Sequence, residues 1–128
     1  MKFSILVVDD EVTITNDVKF EINNRDDDID VICCNNGYEA LSEIMQGKVD
    51  ILITDIAMPD MDGYELYARS KELRPDLPII MMTGFGYDPN HAVVKARKDG
   101  LEDVIFKPFD YDQLLKLIYK RMKEKPKS

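Results

Sequence analysis

Acidic, hydroxyl and basic side chains follow apolar runs of this sequence at four separate places. Asp9 and Asp10 come directly after one run, and Asp55 closes another. Thr83 and Lys107 follow two later runs of the same kind. Three carboxylates that share a pocket repel one another, so at least one would be protonated at neutral pH unless cations compensate them. A divalent cation together with the Lys107 ammonium would balance the three negative charges.

These ligand types favour a hard metal ion and phosphoryl chemistry. Carboxylate oxygens without imidazole or thiolate suit Mg²⁺ before Ca²⁺, with Mn²⁺ as an alternative. Mg²⁺ tends to bind through one or two carboxylates plus phosphate oxygens, which is typical of phosphoryl-transfer sites. An aspartate can itself accept a phosphoryl group. The Thr83 hydroxyl and the Lys107 ammonium could then bind phosphoryl oxygens.

Five short apolar runs predict strands that are buried on both faces. They are FSILVV (3–8), IDVICC (29–34), VDILIT (49–54), PIIMM (78–82) and EDVIF (102–106). Apolar residues with helical spacing lie after each run: Ile14, Val18 and Ile22; Leu41, Ile44 and Met45; Leu66, Ser70 and Leu73; Ala92, Val93 and Ala96; Leu114, Leu115 and Ile118. This alternation predicts an α/β fold with a five-stranded parallel sheet and helices on both faces. Asp110 is suited to cap the fifth helix.

Parallel sheets of this kind bind ligands at the carboxyl ends of their strands, where the strand order reverses. Four of the five predicted strands deliver the reactive side chains to that edge. The second strand ends in Cys33, Cys34 and Asn35, which we interpret as unreactive. A strand that contributes nothing suits a position at the edge of the sheet, as in the flavodoxin-like order 2-1-3-4-5.

Composition narrows the functional class. The chain has 128 residues, enough for one domain with a hydrophobic core, and its net charge of −8 argues against direct binding of nucleic acid. No apolar run approaches the ~20 residues of a membrane helix, so we expect no membrane contact and a cytoplasmic location. Cys33 and Cys34 are predicted to be reduced, buried thiols. We place the domain at residues 1–123 and a short basic tail at 124–128.

Four motifs together resemble the receiver domain of two-component response regulators, the family that includes the chemotaxis response regulators. They are ILVVDDE (5–11), ILITDIAMPDMDGYEL (51–66), PIIMMTG (78–84) and FKPF (106–109). The resemblance implies that Asp55 accepts a phosphoryl group from the phosphohistidine of a kinase. It also implies that Asp9, Asp10 and Asp55 hold Mg²⁺ together with the backbone carbonyl of Ala57.

The resemblance further implies a signalling switch rather than an enzyme that turns over an external substrate. Thr83 would be the switch hydroxyl, and Lys107 would contact the phosphoryl group and precede a cis peptide bond to Pro108. Val104 stands where the family often has an aromatic ring, so Val104 is the second expected switch residue.

The resemblance also implies the partners. A sensor histidine kinase or a histidine phosphotransfer protein would supply the phosphoryl group. A downstream protein would bind the face of the fourth helix, fifth strand and fifth helix. The chain would be a monomer or a phosphorylation-dependent dimer.

Two other functions remain open from the sequence. DDEVT (9–13) nearly matches the D-x-D-x-T motif of haloacid-dehalogenase-like phosphohydrolases, with Asp9 as the nucleophile and Glu11 in place of the second aspartate. A degenerate receiver that acts only as a docking module is the other alternative. Which aspartate becomes phosphorylated distinguishes the receiver from the phosphohydrolase.

Overall fold

Every predicted strand forms in the structure, within two residues of its predicted ends. The computed structural model describes residues 3–84 and 103–124. The strands are β1 (Phe3–Val8), β2 (Ile29–Cys34), β3 (Ile51–Asp55), β4 (Ile79–Thr83) and β5 (Asp103–Phe106). They form one parallel sheet in the order β2-β1-β3-β4-β5, which confirms the predicted topology.

Four helices lie in the described ranges: α1 (Val12–Arg25), α2 (Gly37–Met45), α3 (Gly63–Leu73) and α4 (Tyr111–Glu124). The helix predicted around Ala92, Val93 and Ala96 lies outside the described residues, so α4 is the helix predicted as the fifth. Helix α4 includes Glu124, the first residue of the predicted tail, and the remainder of that tail lies outside the described residues. The domain boundary therefore stays a prediction.

The sheet separates two hydrophobic clusters, because successive strand residues point to opposite faces. In β1, Leu6 packs on the side of α2 and α3, whereas Ile5 packs on the side of α1 and α4. Both side chains are fully buried. Burial on both faces explains why the strands read as continuous apolar runs rather than alternating ones.

Three of the helices have a side-chain cap at their N-terminus. The side chains of Asn36 and Asp62 accept hydrogen bonds from the backbone N–H groups of Glu39 and Glu65, each at 2.8 Å, at the start of α2 and α3. The Asp110 carboxylate accepts a bond of 2.8 Å from the N–H of Asp112, as expected of a cap for α4. These bonds satisfy backbone donors that a helix cannot pair internally.

Both cysteines are free thiols. Cys34 is buried, as predicted, and Cys33 is only half-buried. Burial, followed by the charges of Glu39 and Glu43, raises the pKa of Cys34 to about 12.

None of the helices in the two described ranges has the length and apolar character required to cross a membrane.

Candidate functional site

The carboxyl ends of β1, β3, β4 and β5 bring four of the predicted site residues to one edge of the sheet. Asp55 and Thr83 are the last residues of β3 and β4, and Asp9 and Lys107 directly follow β1 and β5. The ladder continues past β5, since the N–H of Lys107 donates to the carbonyl of Thr83 at 2.7 Å. Rigid backbone pairing therefore sets the positions of these side chains.

The Lys107 ammonium joins two carboxylates. Its Nζ lies 2.6 Å from Oδ2 of Asp9 and 3.2 Å from Oδ1 of Asp55. Burial lowers the pKa of Lys107, but the hydrogen bond to Asp9 and the charges of Asp55 and Asp9 outweigh this effect, so the pKa lies above its ordinary value. Lys107 is therefore a cation in this site at neutral pH.

One lysine does not neutralise the acidic cluster. Carboxylate oxygens of Asp9, Asp10 and Asp55 all lie within 4.8 Å of one another, with Asp10 exposed to solvent. Burial raises the pKa of Asp55, and the charge of Asp9 raises it further, while Lys107 opposes the shift only in part. The residual negative charge and the all-oxygen donor set fit a hard divalent cation.

Asp9 is fully buried, and all four of its polar atoms have partners. Its N–H donates to the carbonyl of Cys34 at 3.2 Å, and its carbonyl accepts from Nδ2 of Asn35 at 2.9 Å. Its Oδ1 accepts from the N–H of Glu11 at 2.9 Å, and its Oδ2 binds Lys107. Asn35 directly follows the strand predicted to end in nothing reactive, yet its amide contacts the backbone of the acidic loop. The rule applied to the other strand ends would have found it.

The turn between β3 and α3 packs directly against the Asp55 backbone. The N–H of Gly63 donates to the carbonyl of Ile56 at 2.8 Å. A Cβ atom on Gly63 would lie 2.2 Å from the Asp55 carbonyl oxygen and 2.8 Å from Cα of Ile56. The exposed Ala57, whose carbonyl is an expected metal ligand, lies in this same turn. Glycine is therefore required at residue 63 by close backbone approach.

The expected switch residues lie on β4 and β5. Thr83 is buried, with 8% of its surface exposed, and its register partner Phe106 is 47% exposed. Val104 is half-buried and packs against the cluster on the α2 and α3 side of the sheet. The Lys107–Pro108 peptide is cis, as the resemblance implies.

Comparison with known proteins identifies the family. The model of the response regulator receiver domain matches residues 5–119. Chemotaxis protein CheY of Listeria monocytogenes is 35% identical over 120 residues, which cover 93% of this chain and 98% of that protein. Transcriptional regulatory protein ZraR of Klebsiella oxytoca is 34% identical over 110 residues, which cover 86% of this chain but only 24% of that protein.

Solved structures agree with the sequence comparisons. A response regulator receiver domain protein from Clostridium thermocellum superposes with a TM-score of 0.87, at 27% identity over 96% of each chain. A CheY-like receiver domain protein from Methanospirillum hungatei gives the same TM-score at 29% identity, covering 98% of this chain and 97% of that one. This chain therefore belongs to the response regulator receiver domain family.

Proposed function

We propose that this receiver domain is switched by transfer of a phosphoryl group to Asp55 from the phosphohistidine of a sensor kinase or phosphotransfer protein. Its family consists of two-component signalling switches rather than substrate-turnover enzymes. The observation that carries the proposal is the Lys107 ammonium held between Asp9 and Asp55 at the edge of the acidic cluster. The proposed location is the cytoplasm.

Asp55 is a better phosphoacceptor than Asp9. Its side chain is 9% exposed, against 1% for Asp9. Both carboxylate oxygens of Asp9 accept hydrogen bonds, from Glu11 and Lys107. In the proposed step an Asp55 oxygen forms a bond to phosphorus while the phosphorus–nitrogen bond breaks, and the departing imidazole nitrogen keeps the electron pair. The same observations disfavour the phosphohydrolase alternative, in which Asp9 is the nucleophile.

The acidic cluster would hold the metal ion. Asp9, Asp10 and Asp55 would supply carboxylate oxygens to Mg²⁺, with Mn²⁺ as an alternative, and Ala57 would add its backbone carbonyl. The bound ion would neutralise charge on phosphoryl oxygens, which is its usual contribution to phosphoryl transfer. Lys107 is close enough to Asp55 to contact a phosphoryl oxygen directly.

Phosphorylation would change the charge at Asp55 from −1 to about −2. We propose that the added charge attracts the Lys107 ammonium and the Thr83 hydroxyl. Thr83 and Lys107 are joined through the backbone between β4 and β5, so their movement would reach Val104 on β5. A groove of about 300 Å³ beside Val104 is lined by residues of β5 and α4.

That groove belongs to the face proposed to bind a downstream protein. Its lining includes Lys116, Leu117 and Lys120 of α4, which would suit an acidic and apolar partner segment. The helix expected to complete this face lies outside the described residues. We also propose that the chain is either a monomer or a dimer that forms on phosphorylation.

Intact-mass and peptide-mapping analysis with acetyl phosphate, with and without Mg²⁺, tests the proposed function. One phosphoryl group on Asp55, gained only with Mg²⁺ and absent in Asp55→Asn, is the expected result. Phosphate on Asp9 would overturn the proposal and favour the phosphohydrolase hypothesis. No modification under any condition would leave a receiver that acts only as a docking module.

A further inference from the structure

We propose that Asn35 is a positioning residue that fixes the peptide between Asp9 and Asp10 and thereby aims the acidic pair of the metal site. This inference rests on the proposed function, because it concerns the same Mg²⁺ site. Asn35 directly follows β2, the strand whose end was expected to contribute nothing.

The Asn35 amide joins the loop after β1 to helix α1. Its Nδ2 donates to the Asp9 carbonyl at 2.9 Å and lies 3.3 Å from Oγ1 of Thr15. Thr15 is buried in the first turns of α1, where its hydroxyl also donates to the carbonyl of Val12 at 3.0 Å. One side chain therefore fastens both the start of the acidic loop and the helix that follows it.

The Asp9 carbonyl determines which way the Asn35 amide is oriented. A backbone carbonyl can only accept, so the Asn35 atom beside it must be the NH₂ group. The Asp9 carbonyl belongs to the peptide that links Asp9 to Asp10. Holding that carbonyl fixes the plane of the linking peptide, and so the direction in which Asp10 leaves the backbone.

Asn35 complements the contacts that hold the rest of Asp9. The N–H of Asp9 and both its carboxylate oxygens bind Cys34, Lys107 and Glu11. These contacts orient the buried carboxylate and, through the N–H of Glu11, restrain the turn that follows it. The Asn35 bond additionally holds the carbonyl of the peptide between Asp9 and Asp10. Asp10 is the exposed member of the acidic pair, so the direction of its carboxylate depends mainly on the backbone.

The test compares Asn35→Leu with Asn36→Leu. Leucine matches asparagine in shape and cannot donate. Asn36 is the matched control, because its side chain caps α2 through Glu39 and is not the residue that binds the Asp9 carbonyl. Mg²⁺ binding is measured by calorimetry on the full chain, and Asp55 phosphorylation by acetyl phosphate is measured as a function of Mg²⁺ concentration. Urea unfolding reports whether each variant is folded.

We expect Asn35→Leu to weaken Mg²⁺ binding about tenfold, the lower end of the effect of removing a partner that orients a metal ligand. The phosphorylation rate should recover at saturating Mg²⁺, because the phosphoacceptor itself is untouched. Asn36→Leu should lose stability but keep the Mg²⁺ dependence of the parent. Asn35→Gln, which retains the amide donor, should fall between Asn35→Leu and the parent.

Equal Mg²⁺ dependence in Asn35→Leu and the parent would overturn the inference, and so would equal weakening in Asn36→Leu. Asn35→Ala, which also lacks the donor, decides the question if the leucine variant does not fold. Failure of the parent to bind Mg²⁺ or to be phosphorylated would instead overturn the proposed function, and the inference with it. The two failures are thus distinguishable.

Discussion

Gly63→Ala should disable Asp55 by moving its backbone, although the substitution removes no polar group from the site. The added Cβ would lie 2.2 Å from the Asp55 carbonyl oxygen, whereas ordinary contact begins at 3.4 Å. The difference, about 1.2 Å, must be absorbed by the Asp55 and Ile56 backbone or by the start of α3. A displacement of about 1 Å at a reacting group can cost about 100-fold in rate.

We therefore expect the rate of Asp55 phosphorylation by acetyl phosphate to fall about 100-fold in Gly63→Ala. The same overpacking should lower the free energy of unfolding by about 1–3 kcal/mol, measured by urea titration. Mass spectrometry of the intact chain over time gives the phosphorylation rate, and circular dichroism shows that the variant is folded at the assay temperature.

Two glycine variants separate the local effect from general destabilisation. Gly47→Ala places a side chain at φ +79° in open space, so it should cost roughly 1–2 kcal/mol without slowing phosphorylation. Gly84→Ala lies beside the site, but its Cβ would meet only Cδ of Lys107, at an ordinary 3.9 Å. A Gly63→Ala rate equal to that of either control would refute the steric reasoning.

Three further predictions concern buried charges and thiols. Because burial and a neighbouring carboxylate raise the pKa of Asp55 above its ordinary 3.8, its ionised form destabilises the folded chain as pH rises through the raised value. Asp55→Asn should therefore gain stability over the parent as pH rises from acidic to neutral in EDTA; a pH-independent difference in urea titrations would contradict this. Arg121→Leu removes the ion-pair partner of the buried Asp103 and should lower the free energy of unfolding by about 3 kcal/mol. Adding Asp103→Asn should restore part of this loss, because no buried charge is then left unpaired. Urea titrations that show no such recovery would count against the prediction. With a pKa of about 12, Cys34 should resist a thiol reagent at mildly alkaline pH until the chain is unfolded in urea; rapid labelling of the folded chain would oppose the prediction.

The sequence predicted the strands well because parallel strands buried on both faces need continuous apolar runs. The start of β3 was misplaced by two residues. Val49 is buried, and Asp50 still bonds to β1 although it precedes β3. Its N–H donates to the carbonyl of Ser4 and its carboxylate accepts from the N–H of Ser4, each at 2.8 Å. Apolar type alone does not distinguish a buried connection from a strand.

The helical spacing of apolar residues was less informative about burial at the ends of the helices. Met45 and Leu73 share the spacing of buried neighbours, yet they are 70% and 45% exposed. Each is the last residue of its helix. Spacing identifies the helix, but only the packing decides which of its terminal residues are covered.

The common placement of Asp9, Asp55, Thr83 and Lys107 was predictable because strand ends in a parallel sheet converge on one edge. Asn35 obeys the same rule, although its amide is not a reactive group. Its contact with the Asp9 carbonyl depends on the distance between the ends of β1 and β2. The strand-end rule places Asn35 near the site, but only the folded structure shows which backbone atom its side chain bonds.

The ion pair between Lys107 and Asp9 joins residues 98 positions apart. It therefore acts as a reversible crosslink between the segments that follow β1 and β5, closing a long loop of backbone. An ionic crosslink, unlike a covalent one, weakens when another charge competes for the same ammonium. Oδ1 of Asp55 lies 3.2 Å from Nζ of Lys107, so phosphorylation of Asp55 would add such a charge beside the ammonium. The signal would then also weaken the link between the segments that follow β1 and β5.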